Sequence, residues 1–164
     1  MYKKLIENLK QNQLIIIDGD EYRVQTKTFY TNINNCNLNY VKFVLTNHKI
    51  LVVNPERKSI FLGKIVDDFY EEEYFPESFK WQGKTFKMFE KDIQIVTKIE
   101  FGNPRTCEGE CVWVDYICEE DPSICVDMAY VYREKKRADI LAKWIELENI
   151  KVIGEDEHAS NYKS

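Results

Sequence analysis

From Glu21 to Phe29 the chain alternates, with Tyr22, Val24, Thr26 and Thr28 on one face and Arg23, Gln25 and Lys27 on the other. That period of two predicts a strand with two unlike faces. The apolar run Leu14 to Ile17 precedes it, and Asp18-Gly19-Asp20 between them reads as a tight hairpin turn. The asparagine-rich stretch 31–39 predicts a loop, after which Tyr40 to Leu45 and Lys49 to Val53 are strand-like around a turn at Thr46-Asn47-His48. Pro55 marks a further turn at 54–58, and Ser59 to Val66 returns as a strand. Beyond it, Ser78 to Trp81, a Gln82-Gly83 turn, Thr85 to Phe89 and Asp92 to Glu100 continue the pattern. On the last of these Ile93, Ile95 and Thr97 oppose Gln94, Val96 and Lys98. Cys111 to Cys118 and Ile124 to Tyr132 form another hairpin-like pair around 119–123.

Two segments carry helical spacing. Tyr2, Leu5, Ile6 and Leu9 make one apolar face of a short amphipathic helix. Within 134–148, Ala138, Leu141, Ala142 and Ile145 also fit a helical face in a helix-favouring composition. Helix is the favoured reading there, with strand left open. Residues 149–153 read as extended, and 154–164 as a mobile polar tail.

The predicted strands echo one another. DGDEYRV (18–24), YVKFVLTNHKILVV (40–53) and FLGKIV (61–66) are followed by QGKTFKM (82–88), CVWVDYICEEDPSICVDMA (111–129) and ILAKWIEL (140–147). Gly19 and Gly83 are equivalent in this scheme, as are Tyr22 and Phe86, while Val41 with Val112 and Ile50 with Ile124 drift further apart. The expected fold is mainly β (β-rich α+β). Two similar antiparallel units, about 14–66 and 78–150, form one barrel-like or sandwich domain over 1–153, with one or two terminal helices. Its expected core holds Ile16, Tyr22, Val24, Val41, Phe43, Val52, Phe61, Phe86, Ile93, Ile95, Trp113 and Ile124. The echo aligns 140–147 with the strand FLGKIV, which is the case for strand there.

Charge narrows the partners. The 164 residues carry 23 basic and 28 acidic side chains, a net charge of −5, which argues against a nucleic-acid binder needing a basic stripe. No apolar run approaches the ~20 residues of a membrane-spanning helix, and the N-terminus lacks the continuous apolar core of a signal peptide. The expectation is a cytoplasmic protein with reduced cysteines.

Few residues offer chemistry. Cys107, Cys111, Cys118 and Cys125 are the candidate metal ligands, but they lack a Cys-x-x-Cys knuckle, and the odd separation of Cys111 from Cys118 sends them to opposite faces of a strand. Packed thiols are therefore expected and a zinc site is the alternative. The two histidines fall in a turn (His48) and in the tail (His158), which leaves no base for a cysteine or serine nucleophile. The nearest catalytic option is a carboxylate pair, Asp115 with Asp127, facing across the second hairpin with raised pKa. The six glycines form no phosphate-cradling loop, and no cofactor is expected. The segment 67–79 combines acids with aromatics. Asp67, Asp68, Phe69, Tyr70, Glu71, Glu72, Glu73, Tyr74 and Phe75 are the candidate residues for docking a protein partner with a basic surface. The competing reading makes the aromatics core and the acids a solvated linker.

The order DGDEYRV (18–24), YVKFVLTNHKILVV (40–53), QGKTFKMFEKDIQIVTKIEFG (82–102), EGE (108–110) and VDY (114–116) resembles the bacterial family domain of unknown function 4178, over most of residues 14–150. The chain departs from that pattern in having few glycines near its end. The resemblance assigns no activity and no residue role. It implies a companion of bacterial membrane-stress gene clusters, which favours protein interaction. The expected function is thus a non-enzymatic module for protein–protein interaction, in a stress response. The alternatives are a small-ligand-binding or enzymatic β-barrel using the carboxylate pair, and a zinc-binding β domain.

Overall fold

The computed structural model describes residues 1–69, 75–104 and 110–154. A short helix α1 (Tyr2–Asn8) precedes β1 (Leu14–Ile17) and the long β2 (Asp20–Asn32). Then follow β3 (Tyr40–Leu45), β4 (Lys49–Asn54) and β5 (Ser59–Val66). The second half contributes β6 (Ser78–Trp81), β7 (Lys84–Phe101), β8 (Cys111–Cys118), β9 (Ile124–Val131), β10 (Lys136–Arg137), β11 (Asp139–Trp144) and β12 (Ile150–Ile153).

The echo in the sequence is an echo in topology. Each half is a hairpin followed by three antiparallel strands: β1–β2 leads into β3, β4 and β5, and β6–β7 into β8, β9 and β11. Both hairpins turn on two residues of positive φ, Asp18 (49°) and Gly19 (87°) in one, Gln82 (48°) and Gly83 (74°) in the other. That is the turn whose twist matches its flanking strands. The halves join along two seams, β5 with β11 and β2 with β7. Eight strands, in the order β2-β3-β4-β5-β11-β9-β8-β7, thereby close into an antiparallel barrel. β12 extends the sheet beyond β1, and β6 lies beyond β7. Closure leaves none of the eight strands with an open edge.

Most of the apolar packing lies outside the barrel wall. Val41, Phe43, Leu45, Leu51, Val53 and Ile60 pack beneath α1 and the β1–β2 hairpin, with Leu5, Ile6, Leu9, Ile15, Ile17 and Val24. The second half repeats this with Val114, Tyr116, Cys118, Val126 and Met128 under Phe69, Phe79 and Phe86. Smaller clusters fill the inside: Tyr30, Cys111, Trp113, Ala129 and Val131 on one side, Ile50, Val52, Phe61, Cys125, Ile140 and Ala142 on the other. With both outer faces covered, the interior is free to carry polar side chains.

Three expectations need correction. Residues 134–148 hold no helix; they supply β10 and β11, and β11 bonds to β5 and β9 together, so the sheet's demand for a closing strand overrides local helix propensity. One terminal helix, α1, is present among the described residues. Ile93 and Ile95 are half-buried whereas the alternating Asp92 and Gln94 are buried, because β7 turns its polar face into the barrel after a bulge between Met88 and Glu90. Ile16 and Ile124 are likewise half-buried, and Ile15 and Ile17 take the core positions beside Ile16. The other expected core residues, Tyr22, Val24, Val41, Phe43, Val52, Phe61, Phe86 and Trp113, are buried. No helix among the described residues is long and apolar enough to cross a membrane.

Candidate functional site

The barrel interior opens into a cavity of about 70 Å³. Both halves line it. Asn32, Tyr40, Asn54, Arg57 and Phe61 come from the first, and Phe89, Glu90, Trp113, Asp115, Asp127 and Trp144 from the second. Strand alternation places them: Tyr40 is two residues from Lys42 on β3, Trp113 two from Asp115 on β8, and each such pair shares a face. The cavity volume is well below the ~300 Å³ at which drug-sized pockets begin, so it suits the head group of a small molecule.

Three acids lie side by side across adjacent strands. Glu90 on β7 is directly opposite Asp115 on β8, and Asp115 is directly opposite Asp127 on β9. The two aspartates thus face one another inside the barrel, where buried like acids favour a protonated form. They are enclosed by the barrel yet keep part of their surface open to the cavity. Desolvation holds Asp115 well above the usual carboxylate range, and the charge of Asp127 and the hydrogen bond to it add to the rise. Asp127 is also raised by desolvation, but its bond to Asp115 and the nearby Lys42 ammonium work against that. Both carboxyls are therefore raised, and they titrate as one pair. Asp115 Oδ1 finds no hydrogen-bond partner among the described residues. Burial, with the two aspartates behind it, also pushes the Cys125 thiol up, so it is no nucleophile.

The walls are aromatic and firmly held. Tyr40 stacks on Tyr30 at 4.9 Å between ring centroids and its hydroxyl donates to Gln94. Trp113 Nε1 donates to Asn32 Oδ1 at 3.0 Å, and Asn32 Nδ2 donates to the Leu38 carbonyl at 2.9 Å. Phe61 meets Trp144 edge to face at 5.9 Å. Lys42 is buried with its ammonium 5.3 Å from the Tyr30 ring. At the mouth, Arg57 from the β4–β5 turn donates two hydrogen bonds to Glu90, so one ion pair spans the two halves of the barrel.

The carboxylate pair is where the hairpin count predicts it. Val52, Phe61 and Trp113 of the lining are expected core residues, whereas Tyr40, Arg57 and Trp144 escape sequence reasoning because they come from the other half or from the segment read as helical. Their signal was the polar face of alternating strands such as Tyr40-Lys42 and Asp92-Gln94, which reads as solvent-facing until closure turns it inward. The partner-docking candidates do not gather here. Asp67 and Asp68 are exposed after β5, Phe69 is buried in the outer core of the second half, and Phe75 is half-buried under the Arg137 guanidinium at 5.4 Å. Tyr70, Glu71, Glu72, Glu73 and Tyr74 lie outside the described residues. Of the cysteines, Cys111 and Cys125 face the interior and Cys118 the outer core, as the odd spacing of Cys111 and Cys118 predicts; Cys107 is outside the described residues. His48 is exposed in a 3₁₀ turn, and His158 lies outside the described residues.

What the site can do is hold or exchange one proton against a ligand seated among the aromatic rings. No protein-family model matches the chain, and neither does a curated protein or a solved structure.

Proposed function

We propose that the protein is a receptor for a small organic ligand, taken in through the mouth beside Arg57 and Glu90 and read inside the barrel by Asp115 and Asp127. The observation that carries this reading is the directly opposed pair Asp115 and Asp127 set in an aromatic-walled cavity that opens to solvent. A buried pair of like acids is costly to keep, and outside a binding or reacting site it has no packing advantage over Asn or Thr. Docking of a basic protein partner through 67–75 is the weaker reading, because Phe69, an expected aromatic anchor, is consumed by the core.

A fragment screen by protein-observed NMR tests it. Ligands are expected to shift the indole signals of Trp113 and Trp144, and Asp115→Asn is expected to weaken their binding at least about tenfold by removing one carboxyl of the pair. Hits that cluster on the outer face of the barrel and leave both indoles unmoved would refute the reading.

A further inference from the structure

We infer that the ligand is a small organic ammonium ion, its positive head seated against Asp115 and its body packed on Trp113, Trp144 and Phe61. This rests on the cavity being a ligand site and goes further by fixing the ligand's charge.

The argument is one of electroneutrality. The cavity lining holds three acids, Glu90, Asp115 and Asp127, and one base, Arg57. Arg57 is spent on Glu90 through two hydrogen bonds. Lys42 lies beside Asp127 and answers its charge. Asp115 is left, directly opposite both Glu90 and Asp127, and burial beside those acids favours its protonated form. An ammonium group can take that proton's place, donating an N–H to the Asp115 carboxylate where this residue lines the cavity. The aromatic lining suits the same guest, since ring faces of Trp, Tyr and Phe attract cations. A neutral guest would gain the stacking but leave the acid pair protonated, as it is without a ligand.

Binding then exchanges one cation for one proton. The groups around the pair come from every adjoining strand: Glu90 on β7, Arg57 on the β4–β5 turn, Lys42 on β3, Cys125 on β9 and Asp139 on β11. Glu90 and Arg57 stay paired, Cys125 keeps its proton, and Asp139 is held by Arg137 through bonds of 3.0 and 2.7 Å. The pair is therefore the group that titrates on binding. Below the raised value of Asp115 the affinity of an amine should climb by about tenfold per pH unit, and above it level off.

The test is calorimetry on the full chain from pH 5 to 8, in two buffers of different ionisation enthalpy. The probes are benzylammonium, n-butylammonium and tetramethylammonium chlorides, with benzyl alcohol and n-butanol as uncharged counterparts. At least one cation should bind with release of about one proton and at least about tenfold more tightly than its alcohol at pH 8. Asp115→Asn should remove both the proton release and the pH dependence. Asp127→Asn, checked for folding by its NMR spectrum, should weaken the same probe. Alcohols that match the cations and bind independently of pH would overturn the ammonium assignment while leaving the cavity as a ligand site. If no cation shifts Trp113 or Trp144, the assignment falls, and if no probe of either kind does, the cavity reading falls with it.

Discussion

Asp115 and Asp127 set a stability trend whose sign follows from their titration. Both fold with values above those of the unfolded chain, mainly through desolvation. Between the unfolded carboxylate range, about 4, and the raised folded value, the native state holds more protons than the unfolded one. Stability contributed by the pair is thus greatest at low pH, falls as pH rises through that window, and is flat above it. Glu100 runs the other way: its hydrogen bond from Lys27 lowers it, so its contribution is lost as pH falls. Comparing wild type with Asp115→Asn cancels such shared terms. The variant should gain on wild type between pH 5 and pH 8 by about 1.4 kcal/mol for each unit by which Asp115 is raised within that range. Urea titrations at the two pH values check it, and an unchanged difference would show that Asp115 ionises like a surface acid. The pairing itself was legible from the sequence because a hairpin fixes its own register. Lys42, Arg57 and Tyr40 were not legible, since cross-barrel neighbours depend on a closure that no local pattern encodes.

Among the elements, β2 and α1 depend on one buried cation. Lys27 is 3% exposed and donates to the Ile6 carbonyl at 2.6 Å and the Leu9 carbonyl at 3.3 Å, where the helix runs out of internal partners. Its other contact is Glu100 on β7 at 2.8 Å, so one side chain ties α1 to the β2–β7 seam. The alternation along β2 reads Lys27 as solvent-facing, and α1 covering that face is what buries it. Lys27→Met should cost about 2 kcal/mol, since Glu100 stays partly solvated but two helix-end carbonyls lose their donor. Hydrogen exchange should show α1 amides losing protection ahead of the barrel strands; α1 protection equal to wild type would contradict this capping role. Elsewhere the element-level reading was good where a strand alternates cleanly, as in the first half of β2. It failed for β7, where the bulge between Met88 and Glu90 swaps the faces, and for β11, whose helix-favouring composition hides a strand.

At the scale of the molecule, two like halves were legible as repeated turns and strands, but the seams that make them a barrel were not. Each seam closes over a glycine. A Cβ on Gly63 of β5 would lie 2.5 Å from the Leu141 carbonyl oxygen and 2.7 Å from the Ala142 Cβ on β11. At the other seam, a Cβ on Gly102 would lie 2.4 Å from the Gln25 carbonyl oxygen, with φ at +77°. Backbone atoms cannot step aside as a side-chain tip can, so a single methyl forces the strands apart. Gly63→Ala should therefore destabilise the protein by about 1–3 kcal/mol. Gly19→Ala is the control, where a Cβ meets nothing within 4 Å and the positive φ alone costs about 1–2 kcal/mol. The two should also differ in kind. Gly63 pairs with Ala142, and two residues away Phe61 pairs with Trp144, both of the latter walls of the cavity. Separating β5 from β11 should then move the Trp144 indole signal and weaken any ligand bound beside it, while Gly19→Ala, whose Cβ meets nothing, should leave both unchanged. Urea denaturation together with the indole NMR signals decides it, and a Gly63→Ala protein with native stability and an unmoved Trp144 would mean that the β5–β11 seam does not hold the cavity in shape.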